Sequence, residues 1–212
     1  MKVLFRPDDV NSKDKISHSF VKHPLFCLLG MRAVVSQHSE NEDAMLRKYA
    51  SDTEVIVEIG VAEGASAYSL RDVASNAGTL YLVDPYLPGR IPFLNAIKFV
   101  AHRFVASCAN SSVQWIEEFS YDASKNWNKP IDFLFIDGDH SYEGSLRDWE
   151  EWSIFIKKGG VVAFHDARIF PNGWTQPDWG PVKVVDTLFR KKTNPDWQII
   201  DEVDSLVFVR RV

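Results

Sequence analysis

The sequence predicts an α/β fold: a seven-stranded, mostly parallel sheet with helices on both faces and an antiparallel hairpin at its C-terminal end. Two observations carry this. From residue 55 onward, short β-branched apolar runs alternate with segments of helical period, and apolar strands separated by helices form a parallel sheet covered on both faces. Near the end of the chain, two strand-like runs at 197–203 and 205–210 stand almost back to back. No crossover helix fits between them, so they must pair antiparallel.

Residues 1–38 are weakly periodic, with an apolar stretch from Leu25 to Val35 broken by Gly30, and read as an N-terminal arm or short helices ahead of a domain spanning 39–212. Ser39-Glu-Asn-Glu42 has the form of a capping box, the Ser39 hydroxyl taking an orphan backbone N–H while Glu42 reaches back, so a helix is expected over about 40–50. Val55–Ile59 is the first strand and stops at Gly60; Ser66–Ala77 reads as a helix closed by Gly78, and Thr79–Val83 as the second strand. A Pro/Gly loop over 85–92, a helix over about 93–107 and strands at Ser112–Ile116 and Ile131–Ile136 follow. Tyr142–Lys158 reads as a helix closed by Gly159-Gly160, and Val161–Phe164 as the fifth strand. Pro181 opens a last helix through Val182, Val185, Leu188 and Phe189, with Arg190, Lys191 and Lys192 at the negative end of its dipole. Five parallel strands and a hairpin make a Rossmann-like sheet of seven.

The 212 residues are 45% hydrophobic and carry a net charge of −5, enough for one domain with a real core. A partner held through its phosphate backbone needs a basic face, so nucleic acid is not expected. No apolar run reaches the length of a membrane span. Cys27 and Cys108 lie far apart with no Cys/His cluster around them, the pattern of buried reduced thiols in a cytosolic protein. Arg6, Pro7, Asp8 and Asp9 fall where a signal peptide needs its apolar core, so the expected location is the cytoplasm. Seven Trp within 13% aromatic residues is generous.

Ligands of an open parallel sheet sit outside the carboxyl ends of its strands. After the first strand comes Glu58-Ile-Gly60-Val-Ala-Glu63-Gly64-Ala-Ser66. Gly60 and Gly64 permit a tight turn and close backbone approach, and Ser66 leads into a helix whose free N–H groups face the site. The spacing is G-x-x-x-G, not the G-x-G-x-x-G of a dinucleotide site, and a carboxylate at Glu58 suits an ammonium group better than a pyrophosphate. Asp84 ends the second strand, where a carboxylate accepts ribose hydroxyls. Phe119 and Ser120 follow the third, placed to stack on and bond an adenine, although a core role for Phe119 fits equally well.

This pattern, E-x-G-x-x-x-G at 58–64, Asp84 after the second strand and a terminal hairpin, resembles the class I S-adenosylmethionine-dependent methyltransferases over about residues 40–212. The resemblance implies that the Gly60–Gly64 turn lies against the methionine part of the cofactor, with Glu58 near its amino group, Glu63 and Ser66 beside it, and Asp84 on the ribose.

The fourth strand ends Asp137-Gly-Asp139-His140-Ser-Tyr-Glu and the fifth ends His165-Asp166, which brings five ionisable groups to one rim. Carboxylates crowded there repel unless a cation or protons compensate them, the arrangement of a cation site with a base beside it. Asp139 has a second reading, as a cap of the helix that follows. The D-G-D-H-S-Y-E run and the H-D pair resemble the subfamily of macrolide-sugar O-methyltransferases and cephalosporin-pathway methyltransferase-like proteins. That resemblance implies Asp137, His165 and Asp166 as metal ligands, Asp137 also beside the cofactor, and His140 as general base. Its relatives commonly carry an acidic residue where His165 stands, and an imidazole shifts preference from Mg²⁺ towards Mn²⁺, Fe²⁺ or Zn²⁺.

Two irregular loops leave this rim and read as substrate walls, one with Tyr86 and Arg90 and the other with Trp174 and Trp179. Packing against the arm is the other reading of these loops. Trp149 and Trp152, three apart on one helix, read as core. His38 and Ser39 precede the first helix, to reach the cofactor or merely to cap. The expected activity is methyl transfer from S-adenosylmethionine to a hydroxyl of a small molecule, a sugar, phenol or natural product. A nicotinamide-dependent oxidoreductase and a non-catalytic nucleoside- or metal-binding module are the competing readings. The arm leaves a homodimer open.

Overall fold

The computed structural model describes residues 3–4, 26–27, 29, 33–87, 95–191 and 194–212. Strands β1 (Val3–Leu4) and β2 (Val34–Val35) pair in parallel as a small separate sheet. The main sheet contains β3 (Val55–Ile59), β4 (Thr79–Val83), β5 (Ser112–Ile116), β6 (Ile131–Ile136), β7 (Ile156–Phe164), β8 (Trp197–Val203) and β9 (Leu206–Arg211). Its order is β5-β4-β3-β6-β7-β9-β8, with β3 to β7 parallel and β9 antiparallel to both its neighbours. This is the seven-stranded Rossmann-like sheet with a terminal hairpin that the patterning predicts. The chain winds outward in both directions from β3 and β6, and the crevice at their carboxyl ends is the switch point where such sheets bind ligands.

The helices are α1 (Glu40–Ala50), α2 (Ala65–Val73), α3 (Ala96–Ala106), the single turn α4 (Ser120–Ala123), α5 (Tyr142–Trp152) and α6 (Gly180–Val185), the last running on into a π-helical turn at Asp186–Arg190. Alternate strand residues enter two cores. Val57, Ile59, Leu134 and Val162 pack with Trp149 and Trp152 of α5, while Ile56, Leu80, Phe133 and Phe135 pack with Leu46 of α1 and Leu70 of α2. Burial on both faces is why these strands read as continuous apolar runs. Trp149 and Trp152 are core, as their spacing predicts. Cys27 and Cys108 are free and buried.

Three boundaries differ from the sequence reading. Helix α2 ends at Val73, four residues early, because Ser75 turns its N–H to the carbonyl of Thr53 and Gly78 closes a turn back on Ser75. Helix α5 ends at Trp152, not Lys158: a 3-10 turn over Ser153–Phe155 brings Ile156 into register with Ile131, and β7 begins there. Asn95 caps α3, its side chain accepting the Lys98 N–H at 3.0 Å. The arm is no detached appendage where it is described, since Val34 is fully buried in a cluster with Cys27, Ala65, Val100 and Phe104.

Candidate active site

A cavity of about 700 Å³ opens at the carboxyl ends of β3, β4 and β6. Its floor is the β3–α2 turn. Gly60 and Gly64 both take left-handed backbone, φ +85° and +83°, and a Cβ at Gly60 would collide with the carbonyl oxygen of Asp137. Gly60 therefore lets the first and fourth parallel strands approach at the switch point. Of the expected floor residues, Gly60, Glu63 and Ser66 line the cavity, while Gly64 packs outward beneath α3, near Val105 and Ala101. Glu58 does not line it. The strand alternation puts Glu58 on the face of Ile56, fully buried, where one oxygen accepts from the Ser66 hydroxyl and the other has no hydrogen-bond partner among the described residues. Burial, aided by the charges of Asp137 and Asp84, holds its carboxyl well above the usual range against the Ser66 bond. In the structure Glu58 buttresses the floor through Ser66.

Asp84 lines the cavity and ties its turn together, Oδ2 accepting the Val61 and Ala62 N–H groups at 3.0 and 3.3 Å and Oδ1 that of Tyr86 at 2.8 Å. A carboxylate has about four acceptor positions, so these bonds leave capacity for hydroxyls. Phe119, 40% exposed, stacks on Tyr121 at 5.2 Å between ring centres, and both rings line the cavity beside Ser120. Ser120 donates to Asp148 of α5, a buried lining residue that the sequence reading passed over. Burial pushes the Asp148 carboxyl up to about 6, with Asp139 and Glu151 adding to the rise and the Ser120 bond opposing it.

A folded-state value above the usual 3.8 means that ionising Asp148 opposes folding. The favourable contribution is intact below about pH 4 and is lost as pH rises through about 6. Asp148→Asn is accordingly expected to be more stable than the parent by about 3 kcal/mol above pH 7, with the gap closing towards pH 4. Thermal melts across that range check it, and a gap that does not change with pH contradicts it.

The rim holds the second constellation. His165, 2% exposed, faces Asp137 Oδ1 through Nδ1 at 2.8 Å and Asp166 Oδ2 at 3.7 Å. His140 Nε2 faces Asp166 Oδ2 at 3.0 Å and Asp137 Oδ1 at 3.9 Å. Its Nδ1 lies 3.0 Å from the Gly138 carbonyl, which only accepts, so Nδ1 carries the proton. The bond to Asp166 raises His140 above its ordinary value, with burial opposing. Burial would raise Asp166, but the charge of His165 and bonds from His140 and Trp174 hold it down at about 2. Burial disfavours charging His165, yet Asp137, Asp166 and Glu42 together keep it well above its usual value. Two nitrogens and two oxygens thus alternate around one small space, and Asp137, His140 and His165 each offer a ligand atom within 4.8 Å of the others.

Asp137 and His140 line the cavity; His165 and Asp166 stand behind them, nearly buried. Asp139 is not the helix cap: Ser141 caps α5, and Asp139 holds the approach by accepting the Ser141 N–H at 2.8 Å. Ser39 and Glu42 form the expected capping box. His38, on the cavity wall with Val35 and Gln37, is buried between Ser36 at 2.9 Å and Asp43 at 3.3 Å.

The expected substrate walls divide. Trp174 is corrected: it is 7% exposed, and its indole N–H ends on Asp166 Oδ1 at 2.5 Å, so it braces the rim instead of facing a ligand. Trp179 is half-buried, edge-on to His140 at 5.9 Å. Tyr86, with φ +41°, lies against Trp115 and His102 and is not a lining residue. Arg90 lies outside the described residues.

Residues 57–167, just over half of the chain, match the family described as a methyltransferase domain. The chain belongs to that family and has the fold of the class I S-adenosylmethionine-dependent methyltransferases. The uncharacterized protein R132 of Acanthamoeba polyphaga mimivirus is 33% identical over 126 residues, 56% of this chain and 53% of the relative, so the match spans about half of that protein. The O-methyltransferase TomG from Streptomyces achromogenes, involved in tomaymycin synthesis and solved with S-adenosylmethionine, has TM-score 0.63 and 15% identity over 91% of this chain and 89% of its own. The O-methyltransferase from Bacillus cereus, solved with S-adenosylhomocysteine, gives 0.59 and 16% over 92% and 91%. An rRNA methylase from Streptococcus thermophilus gives 0.58 and 11% over 81% and 95%. At such identities the likeness is one of fold. No helix among the described residues is long and apolar enough to cross a membrane.

Proposed function

We propose that this chain transfers the methyl group of S-adenosylmethionine to a hydroxyl of a small molecule, a sugar, phenol or natural product, with a divalent cation at the rim, in the manner of the macrolide-sugar and cephalosporin-pathway subfamily. The observation that carries the cofactor is the charge of the cavity wall: among the described residues, Glu63, Asp84, Asp137, Asp139, Glu143 and Asp148 line it against a single arginine, Arg147. Such a wall favours a sulfonium and an ammonium and disfavours a pyrophosphate or a phosphate backbone.

Gly60 and Ser66 form the floor under the methionine part, Glu63 stands beside it, Asp84 takes the ribose, and Phe119 and Ser120 take the base. The bound cofactor supplies an electrophilic methyl. The base is the neutral ring of His140, its one proton on Nδ1 against Gly138; Nε2 accepts the hydroxyl proton, and the Nε2–H so formed donates to Asp166 Oδ2, which stabilises the imidazolium. The rim fits a cation. Nδ1 of His165 lies 2.8 Å from Asp137 Oδ1 and 3.7 Å from Asp166 Oδ2, separations on either side of the roughly 3.4 Å expected between ligands about 2.1 Å from one ion. Asp137, His165 and Asp166 would hold it. A bound cation lowers the pKa of a hydroxyl near it and fixes its direction, and an imidazole in the set favours Mn²⁺, Fe²⁺ or Zn²⁺ over Mg²⁺.

Calorimetric titration tests the cofactor: S-adenosylmethionine is expected to bind and NADH not to, and the reverse result overturns the reading in favour of an oxidoreductase. Release of S-adenosylhomocysteine with a panel of sugars and phenols is expected to fall at least tenfold after exhaustive chelation and to return with Mn²⁺. Unimpaired turnover after chelation removes the cation from the scheme.

A further inference from the structure

Glu42 is explained only in part by its place in the capping box. A box glutamate needs one oxygen for the N-cap N–H and is served equally by glutamine. Here the side chain is fully buried and both of its oxygens accept: Oε2 takes the Ser39 N–H at 2.8 Å, and Oε1 the N–H and hydroxyl of Ser205 at 2.8 and 2.6 Å. Oε2 also lies 3.7 Å from His165 Nε2, a buried nitrogen without a hydrogen-bond partner among the described residues. Ser205, in the β8–β9 turn, in turn receives the N–H of Asp166 at 3.3 Å. One carboxylate from α1 thus reaches both members of the His165-Asp166 pair, one through a ring nitrogen and the other through a serine.

We propose that Glu42 is the positioning residue for His165: it gives the Nε2–H a carboxylate to face and so turns Nδ1 towards Asp137 and the rim. The inference rests on the cation reading above for its consequence, since a histidine that ligates through one nitrogen is oriented by a carboxylate on the other. A glutamine of the same shape keeps one oxygen for the cap N–H, turns its NH2 towards Ser205 and removes the anion. The ring then has no charged partner to fix which nitrogen faces the rim.

The test uses the full chain with Glu42→Gln, and Ser39→Ala as a control that weakens the cap while leaving the carboxylate in place. Mn²⁺ and Zn²⁺ binding is measured by calorimetry, and the ¹⁵N resonances of the His165 ring are recorded without metal. Glu42→Gln is expected to lose about 10–100-fold in metal affinity and to shift the Nε2 resonance. Ser39→Ala is expected to melt lower yet keep metal affinity within about threefold and the ring signals unchanged. Equal behaviour of the two variants overturns the proposal. So does a wild-type ring whose Nε2 carries no proton, a measurement that decides the matter even where Glu42→Gln does not fold. If the wild type binds neither metal while Glu42→Gln still shifts Nε2, the positioning role stands and the cation reading falls.

Discussion

Replacing His140 by alanine lowers methyl transfer by about 10²–10⁴-fold, the usual contribution of a positioned general base, while S-adenosylmethionine affinity stays within a few-fold. The expectation follows from where the ring sits. Its side chain is 43% exposed, the most open of the rim pairs, and it lines the cavity. Its contacts are with Gly138, Asp137, Asp166 and Trp179, and none is with Gly60 or Ser66 of the floor. Removing it takes away the proton acceptor without disturbing the turn that holds the cofactor. Single-turnover rates and calorimetry with both S-adenosylmethionine and Mn²⁺ separate three outcomes. Slow transfer with both affinities kept assigns the base. Lost Mn²⁺ affinity makes His140 a ligand, which its place among the three atoms within 4.8 Å also permits. Lost cofactor affinity overturns both roles.

What could be read from the sequence, and what could not, divides along the range of the interactions involved. The parallel strands were readable because burial on both faces forces continuous apolar runs, and the hairpin because the gap between 203 and 206 is too short for anything else. The end of α5 was not, because Lys157 and Lys158 suit a helix terminus locally, and only pairing of Ile156 with Ile131, a contact across the sheet, converts them to strand. Strand alternation places Glu58 on the face of Ile56, where it meets Ser66 of α2. Asp148 carried a signal that went unused, an acid on the buried face of α5 with Ser145, Trp149 and Trp152. A carboxylate among core positions marks either a partner or a site, and here Ser120 and the cavity supply both. The second duty of Glu42 was invisible locally, since Ser205 and His165 meet it only in the folded chain.

Gly60→Ala is the substitution with the largest expected structural effect, and its reasons are separable. The backbone at Gly60 has φ +85°, a conformation that costs an L-residue about 1–2 kcal/mol. The added methyl also collides with the Asp137 carbonyl and approaches the Gly138 N–H at 2.9 Å. These are backbone atoms of the neighbouring strand end, with no flexible side chain to move aside, so relief requires β3 and β6 to part; overpacking of this kind costs about 1–3 kcal/mol more. A total of about 3 kcal/mol corresponds to a fall in melting temperature of about 6–12 °C for a domain of this size. The functional consequence exceeds the loss of stability, because the atom displaced belongs to Asp137. Moving that residue shifts the 2.8 Å bond to His165 and the cavity floor together, so cofactor affinity and transfer are expected to be lost at temperatures where the variant is still folded. Melting curves paired with S-adenosylmethionine titration at 15–20 °C below the variant's midpoint check this. A folded Gly60→Ala that binds the cofactor as the parent does would show that the close approach of the two strands serves packing alone.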